Sequence, residues 1–159
     1  MIRVGLISDT HGLLRAEALA FLQGSDLIVH AGDIGSAAIL ADLAKVAPLA
    51  SVRGNNDHGP WAETIPATEM IKVGGIYLYV IHDLMQLDID PRAAGVRVVV
   101  AGHSHRPSVR EDDGVLFVNP GSAGPRRFRL PVAVGEIRID GHQVAARTIE
   151  LLAPVAVFT

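Results

Sequence analysis

The chain has 159 residues, 49% of them hydrophobic and 19% charged, which suits one globular domain over residues 1–159 and excludes intrinsic disorder. It contains no cysteine, which excludes disulfides and thiolate ligands and leaves only nitrogen and oxygen donors for a metal. With 17 acidic against 14 basic residues, no signal-peptide pattern and no membrane-length apolar run, it reads as a cytoplasmic protein without membrane contact, and a nucleic-acid partner would need a local basic patch.

The first apolar run, residues 2–7, predicts a strand that breaks into Ser8-Asp9-Thr10-His11-Gly12. Residues 15–23 then place Ala18, Leu19 and Leu22 on one helical face, and Gly24 ends the helix. Residues 27–29 predict a second strand leading to His30-Ala31-Gly32-Asp33, followed by a helix over 36–45 with Ile39, Leu40 and Leu43 apolar. A third strand over 49–52 runs into Arg53-Gly54-Asn55-Asn56-Asp57. Beyond it, strands are predicted over 68–73, 76–81, 96–101, 115–118, 132–139 and 144–149, with hairpin turns at Gly74-Gly75 and Asp140-Gly141. Between His82 and Val96 the helix signal is short: Asp90 as N-cap, Pro91 at the first helical position and Gly95 as terminator. Strand and helix alternating in the first half predict an α/β fold.

Five predicted strands end in carboxylate, imidazole or amide side chains: Asp9 with His11, then Asp33, Asn55, His82, and His103 with His105. Polar groups at strand carboxyl ends converge on the ligand crevice of an open α/β sheet, although they lie far apart in sequence. In Asp9-Thr10-His11 and His103-Ser104-His105 one residue separates the donors, so an extended backbone would aim both to one side. Two Asp, one Asn and four His favour first-row cations over a calcium cage, and seven donors exceed the four of a closed zinc site. Two cations sharing a carboxylate would use them, with Asp33 as the bridge, steadied by amides of the helix that follows it.

These residues give the chain a resemblance to the calcineurin-like metallophosphoesterases, in particular their small bacterial and archaeal phosphodiesterase branch, which is related to a retromer subunit. Asp9-Thr10-His11 resembles the family's first motif, Gly32-Asp33 its second, Gly54-Asn55-Asn56-Asp57 its third, His82 its fourth and Gly102-His103-Ser104-His105 its fifth, while Asn119-Pro120-Gly121-Ser122 resembles a marker turn of the branch. The resemblance implies a two-sheet β-sandwich flanked by helices, a four-layer αββα arrangement. It also implies one metal on Asp9, His11, Asp33 and His105 and a second on Asp33, Asn55, His82 and His103. Two departures stand out. Asn56 occupies the position where many relatives carry a histidine able to protonate the leaving group, and Asp83 follows His82 where a glycine is usual.

The expected activity is hydrolysis of a phosphate ester, a diester before a monoester, by a hydroxide bridging two divalent cations. Manganese is the expected metal, with nickel, iron, cobalt and zinc as alternatives, and the substrate is a small molecule or nucleotide. Asn56 and His58 are the candidate catalytic residues beside the metals. Arg126 and Arg127 form either a phosphate clamp or a solvated loop, and Asp57 orients Asn55 or a ligand imidazole, or caps a turn. His30 matches no ligand position and reads as a hydrogen-bonded core residue; His142 reads as a solvated turn. A homo-oligomer is compatible with the sequence. The competing readings are a protein-interaction scaffold of the retromer-subunit type, which intact ligands disfavour, and a metal-dependent nuclease, which the composition disfavours.

Overall fold

Residues 1–152 are described by the computed structural model; the last seven residues of the domain expected over 1–159 lie outside the described residues. Two five-stranded sheets form. The first contains β1 (Ile2–Ile7), β2 (Leu27–His30), β3 (Leu49–Ser51), β9 (Ala133–Asp140) and β10 (Gln143–Glu150) in the order β10-β9-β1-β2-β3. The second contains β4 (Thr68–Val73), β5 (Ile76–Ile81), β6 (Val96–Val100), β7 (Ser108–Asp112) and β8 (Val115–Asn119) in the order β4-β5-β6-β8-β7. Helices α1 (Ala16–Leu22) and α2 (Ala37–Ala44) connect the first three strands, and a single turn of helix, α3 (Pro60–Glu63), follows β3.

Period-2 alternation builds the layers. In β2, Val29 faces the interior between the sheets while its neighbour Ile28 packs under the helices. The interior joins Val4, Leu6 and Ile137 of the first sheet to Leu78, Val98 and Val100 of the second. Leu22 of α1 and Leu43 of α2 seal the first sheet's outer face with Ile7, Ile34 and Val134. Full burial of each such side chain contributes about 1.5–3 kcal/mol. The carboxylate of Glu136, also buried, accepts from Arg3 Nε at 2.5 Å, Arg147 Nε at 2.6 Å and Arg138 Nε at 3.1 Å. Burial alone would raise its pKa, but these three bonds lower it to about 2. Arg3 also donates to the carbonyls of Phe21 and Gln23, which fixes the end of α1 on the strand that leads into the site.

The two-sheet sandwich agrees with expectation, but its fourth layer is thin. Tyr79, Ile81, Val99 and Ala101 on the outer face of the second sheet pack against Leu84, Leu87 and Ile89 of the short β5–β6 crossover. The helix in that crossover is one 3-10 turn, Leu84–Gln86, capped by Asp83, whose carboxylate accepts the Met85 N–H. The helix expected after Asp90 is instead a chain of turns, with Ala94 N–H donating to the Asp90 carbonyl and Gly95 in the left-handed region at φ 78°. No helix among the described residues is long and apolar enough to cross a membrane.

The register places the chemistry. β1, β2 and β3 are mutually parallel, so the loops holding Asp9, Asp33 and Asn55 leave one edge of the first sheet. β5 and β6 are parallel too, which brings the His82 and His103 loops to one edge of the second. The site therefore straddles two facing sheets and is not the crevice of one open sheet.

Candidate metal centre

The three loops of the first sheet are zipped together by their backbones. Asp9 N–H donates to the Gly32 carbonyl, His11 N–H to Asp33 and Gly12 N–H to Ile34, each at 2.9 Å. Two bonds then cross between sheets: His82 Nδ1–H donates to the Ala31 carbonyl at 2.7 Å, and His103 N–H donates to Asp9 Oδ2 at 3.1 Å. Because a carbonyl only accepts, Nδ1 carries a proton, so Nε2 is the nitrogen that can face a cation once its own proton has left.

Five of the seven expected ligands have left-handed backbones: φ is 54° at Asp9, 47° at His11, 54° at Asp33, 69° at His103 and 62° at His105. The extended backbone expected for the Asp-x-His and His-x-His pairs is thus replaced by left-handed turns, which aim each pair inward as the chain leaves its strand. Such conformations are uncommon away from glycine, are best tolerated by Asp, Asn and His, and cluster at functional sites. Close approach needs glycine at two points. A Cβ at Gly54 would overlap the backbone N and Oδ1 of Asp33, and one at Gly102 would overlap Ser8 Oγ and Asp9 Oδ2.

All seven residues come together, as two triads able to hold a cation: Asp9, His11 and His105, and Asp33, His82 and His103, with the donor atoms of each lying within 4.8 Å of one another. Asn55 joins the second triad, its Oδ1 lying 3.0 Å from His82 Nε2 and 3.2 Å from His103 Nδ1. Asp33 Oδ2 lies 3.3 Å from His82 Nε2 and 3.7 Å from His11 Nε2, between the triads. Asp9 Oδ1 is buried without a hydrogen-bond partner among the described residues, yet the Nε2 atoms of His105, His11 and His82 surround it at 3.3, 3.9 and 4.0 Å. A bare carboxylate oxygen among imidazole nitrogens is costly unless a cation satisfies it, so the donor set fits a metal.

Burial opposes ionisation of Asp33, but hydrogen bonding from His82 and the Asn56 N–H outweighs it and holds the carboxyl well below the usual range. Those donors also correct the expectation of helix amides: Asn56 N–H and Nδ2 reach Asp33 Oδ1 and Oδ2 at 2.9 and 3.1 Å, so its support comes from the third loop. Burial lowers the His82 pKa, but Asp33 and Asp9 raise it further and the net direction is up. For His11 burial lowers the pKa, Asp33 and Asp9 pull it back, and the positive charge of Arg127 joins His105 in pushing it down, so the net direction is down. Arg127 therefore stands near enough to the cluster to act on it, from a loop bolted to the first motif by Ser122 Oγ–H donating to the Asp9 carbonyl at 3.0 Å and Ala123 N–H donating to Ser8. Arg126 is half-buried and Arg127 exposed.

Asp57 is buried and works on backbone: it accepts the N–H groups of Ile34 and Gly35 beside Asp33 and of Gly54 beside Asn55, at 2.9, 3.0 and 2.9 Å. It thus caps the Gly54–Asp57 turn, one of the two roles the sequence suggested, and ties that turn to the Asp33 loop instead of orienting Asn55 or an imidazole. Asn56 has its amide engaged by Asp33, and His58 and His142 are exposed.

Two further contacts to the His103–His105 loop come from residues to which the sequence assigns no role there. Asn119 Nδ2 donates to the Gly102 carbonyl at 2.9 Å and to Ser104 Oγ at 3.0 Å, which makes the marker turn a brace for the His103–His105 loop. Asp83 Oδ2 lies 3.8 Å from His103 Nε2, and its place beside His82 was the available signal. His30 is the hydrogen-bonded core residue that the sequence suggested. Gly32 N–H donates to its Nδ1 at 3.1 Å, so the proton resides on Nε2 and is donated to Thr10 Oγ1 at 3.0 Å; Thr10 in turn donates to the Ile34 carbonyl at 2.7 Å.

Complete burial, the largest cause, lowers the His30 pKa to about 4. The unfolded chain takes up this proton near 6.5 and the folded one only near 4, so the contribution is full above 6.5 and is lost as pH falls to 4. That linkage is worth roughly 3 kcal/mol. Melting temperature should therefore fall across this window in the wild type and fall less steeply in His30→Gln; equal slopes would contradict the burial of a neutral imidazole.

Residues 2–140 match the family model of the calcineurin-like phosphoesterase superfamily domain. A probable metallophosphoesterase of Methanothermobacter thermautotrophicus is 35% identical over 165 residues, which span 96% of this chain and 94% of the relative. Among solved structures, a novel archaeal phosphodiesterase superposes with a TM-score of 0.77 at 20% identity, over 93% of this chain and 100% of that one. Vps29 of Entamoeba histolytica, solved in complex with zinc, superposes with a TM-score of 0.72 at 21% identity, over 95% and 100%.

Proposed function

Because the chain belongs to the calcineurin-like phosphoesterase superfamily, we propose that it is a metal-dependent phosphodiesterase acting on a small-molecule or nucleotide ester. Asp9, His11, Asp33 and His105 hold one cation in this reading, and Asp33, Asn55, His82 and His103 the other. The observation that carries it is Asp9 Oδ1, buried and unpartnered among the described residues amid three imidazole nitrogens. Two divalent cations held there, manganese foremost, would supply an activated water near neutral pH and Lewis acidity toward the phosphoryl oxygens. The cysteine-free donor set suits the cytoplasm, where we place the reaction.

The protein's own groups do the positioning. Asp33 is ionised and stands between the triads, its geometry set by Asn56. His82 presents Nε2 because its other nitrogen is committed to the Ala31 carbonyl. Arg127 contributes positive charge that acts on His11 and would attract an anionic phosphate. Bis(p-nitrophenyl) phosphate should be hydrolysed by manganese-loaded protein, faster than the corresponding monoester, and chelation with EDTA should abolish the reaction. Equal rates with and without metal would exclude the proposal.

The arginine loop gives a second test. Alanine at Arg126 and Arg127 together should raise KM with bound metal intact, by roughly two- to fivefold per guanidinium for exposed charge pairing. An unchanged KM would assign the loop to solvent.

A further inference from the structure

Two cavities flank the second triad, and their linings differ in chemistry. One, of about 300 Å³, adjoins Asn55 and His82 and is walled by polar side chains, among them Arg53, Thr68 and Asp88. The other, of about 240 Å³, adjoins His103 on the outer face of the second sheet, with Val99, Ala101 and Phe117 below and Leu84 and Met85 beside them. Asp83 lines both. The second cavity follows from the brief crossover: a longer helix would cover this face, whereas the 3-10 turn held by Asp83 only brings Leu84 and Met85 to its side.

We propose that the cavity beside His103 binds one planar aromatic ring of the ester, so that the enzyme selects phosphodiesters carrying such a ring. The assignment rests on the phosphodiesterase reading above. Phosphorus in a diester carries two organic substituents, and a cavity on either side of the triad can receive both; a monoester can fill only one. The cavity is smaller than the roughly 300–1,000 Å³ that encloses a drug-sized ligand, which suits a single ring system. Its lining suits a flat apolar ring in particular. The half-buried Phe117 side chain has the Arg110 guanidinium 4.2 Å from its ring centroid, and Arg110 also lines the cavity, placing a planar cation at the rim. Met85 is 92% exposed, an adaptable apolar side chain that gains burial if a ring enters.

The test compares phenylphosphonate with methylphosphonate, by calorimetric titration of the manganese-loaded protein. Burial of roughly 60 Å² of ring should make the phenyl compound bind about tenfold tighter. Ser108 lines the cavity from β7, a strand exposed along its length, so Ser108→Trp fills the space without entering the core. That variant should bring the phenyl-to-methyl affinity ratio close to 1. Met85→Ala, at an exposed position, should lower the ratio about threefold and gives an independent reading if the tryptophan variant folds poorly. A wild-type ratio near 1, or the same ratio in wild type and variants, would overturn the ring site while leaving the phosphodiesterase reading standing. Failure of both phosphonates to bind, together with no diester hydrolysis, would overturn the two together.

Discussion

Asp33→Asn is expected to lose bound metal and to reduce turnover by more than about 100-fold, above the range for replacing a residue that merely orients a ligand. Asp33 is the carboxylate between the triads, 3.3 Å from His82 and 3.7 Å from His11. Asparagine removes the charge that both cations would share. It also turns an acceptor into a donor where Asn56 already donates to both oxygens, so one hydrogen bond becomes a clash of donors. His30→Gln is the appropriate comparison, because His30 acts on the same loop through Gly32 and Thr10 without contributing to either triad. It should lower turnover far less. Metal content and turnover both unchanged in Asp33→Asn would contradict the bridging assignment.

The second large effect concerns the leaving group. Asn56 has no proton to give near neutral pH, and its amide is engaged by Asp33. General acid assistance contributes about 10²–10⁴-fold where present. Without it, hydrolysis should depend steeply on the leaving group's own pKa, with acidic phenols far ahead of alkyl alcohols. Asn56→His should restore poor leaving groups preferentially, although it also removes the Asn56 amide from Asp33, so metal content must be measured alongside. His58 is the competing proton source, exposed on the same loop. If wild type shows a flat dependence that becomes steep only in His58→Ala, with chemistry limiting the rate, then His58 supplies the proton and the account of Asn56 is wrong.

The sequence made the sandwich and its edge legible because strands that bury at least one face carry readable apolar patterns: β1, β4 and β5 have the bounds their patterns predict. β7 was passed over for the same physical reason. All five of its residues are exposed, so Ser108–Asp112 has no apolar face to read. Its turn did leave a trace, since Asp113-Gly114, with φ of 51° and 81°, closes a two-residue hairpin onto β8. The seven candidate ligands were legible from residue type and placement at strand ends. Their approach was not: strand periodicity ends where the strand ends, and the turn into the left-handed region at Asp9, His11 and His103 is a loop property. Asp57 illustrates a further limit. Its nearness to Asn55 in sequence suggested a side-chain partner, but packing brings it three backbone N–H groups, two of them from the Asp33 loop.

Metal stoichiometry measured together with rate tests the central claim most directly. Metal-stripped protein is titrated with Mn²⁺ under equilibrium dialysis while hydrolysis of bis(p-nitrophenyl) phosphate is followed. Two equivalents should bind, with rate rising through the second. In His103→Ala, which removes a donor from one triad only, tight binding should fall to one equivalent and turnover should collapse. A rate that saturates at one equivalent, or that is undiminished in protein carrying none, would contradict a two-cation phosphodiesterase centre at these seven residues.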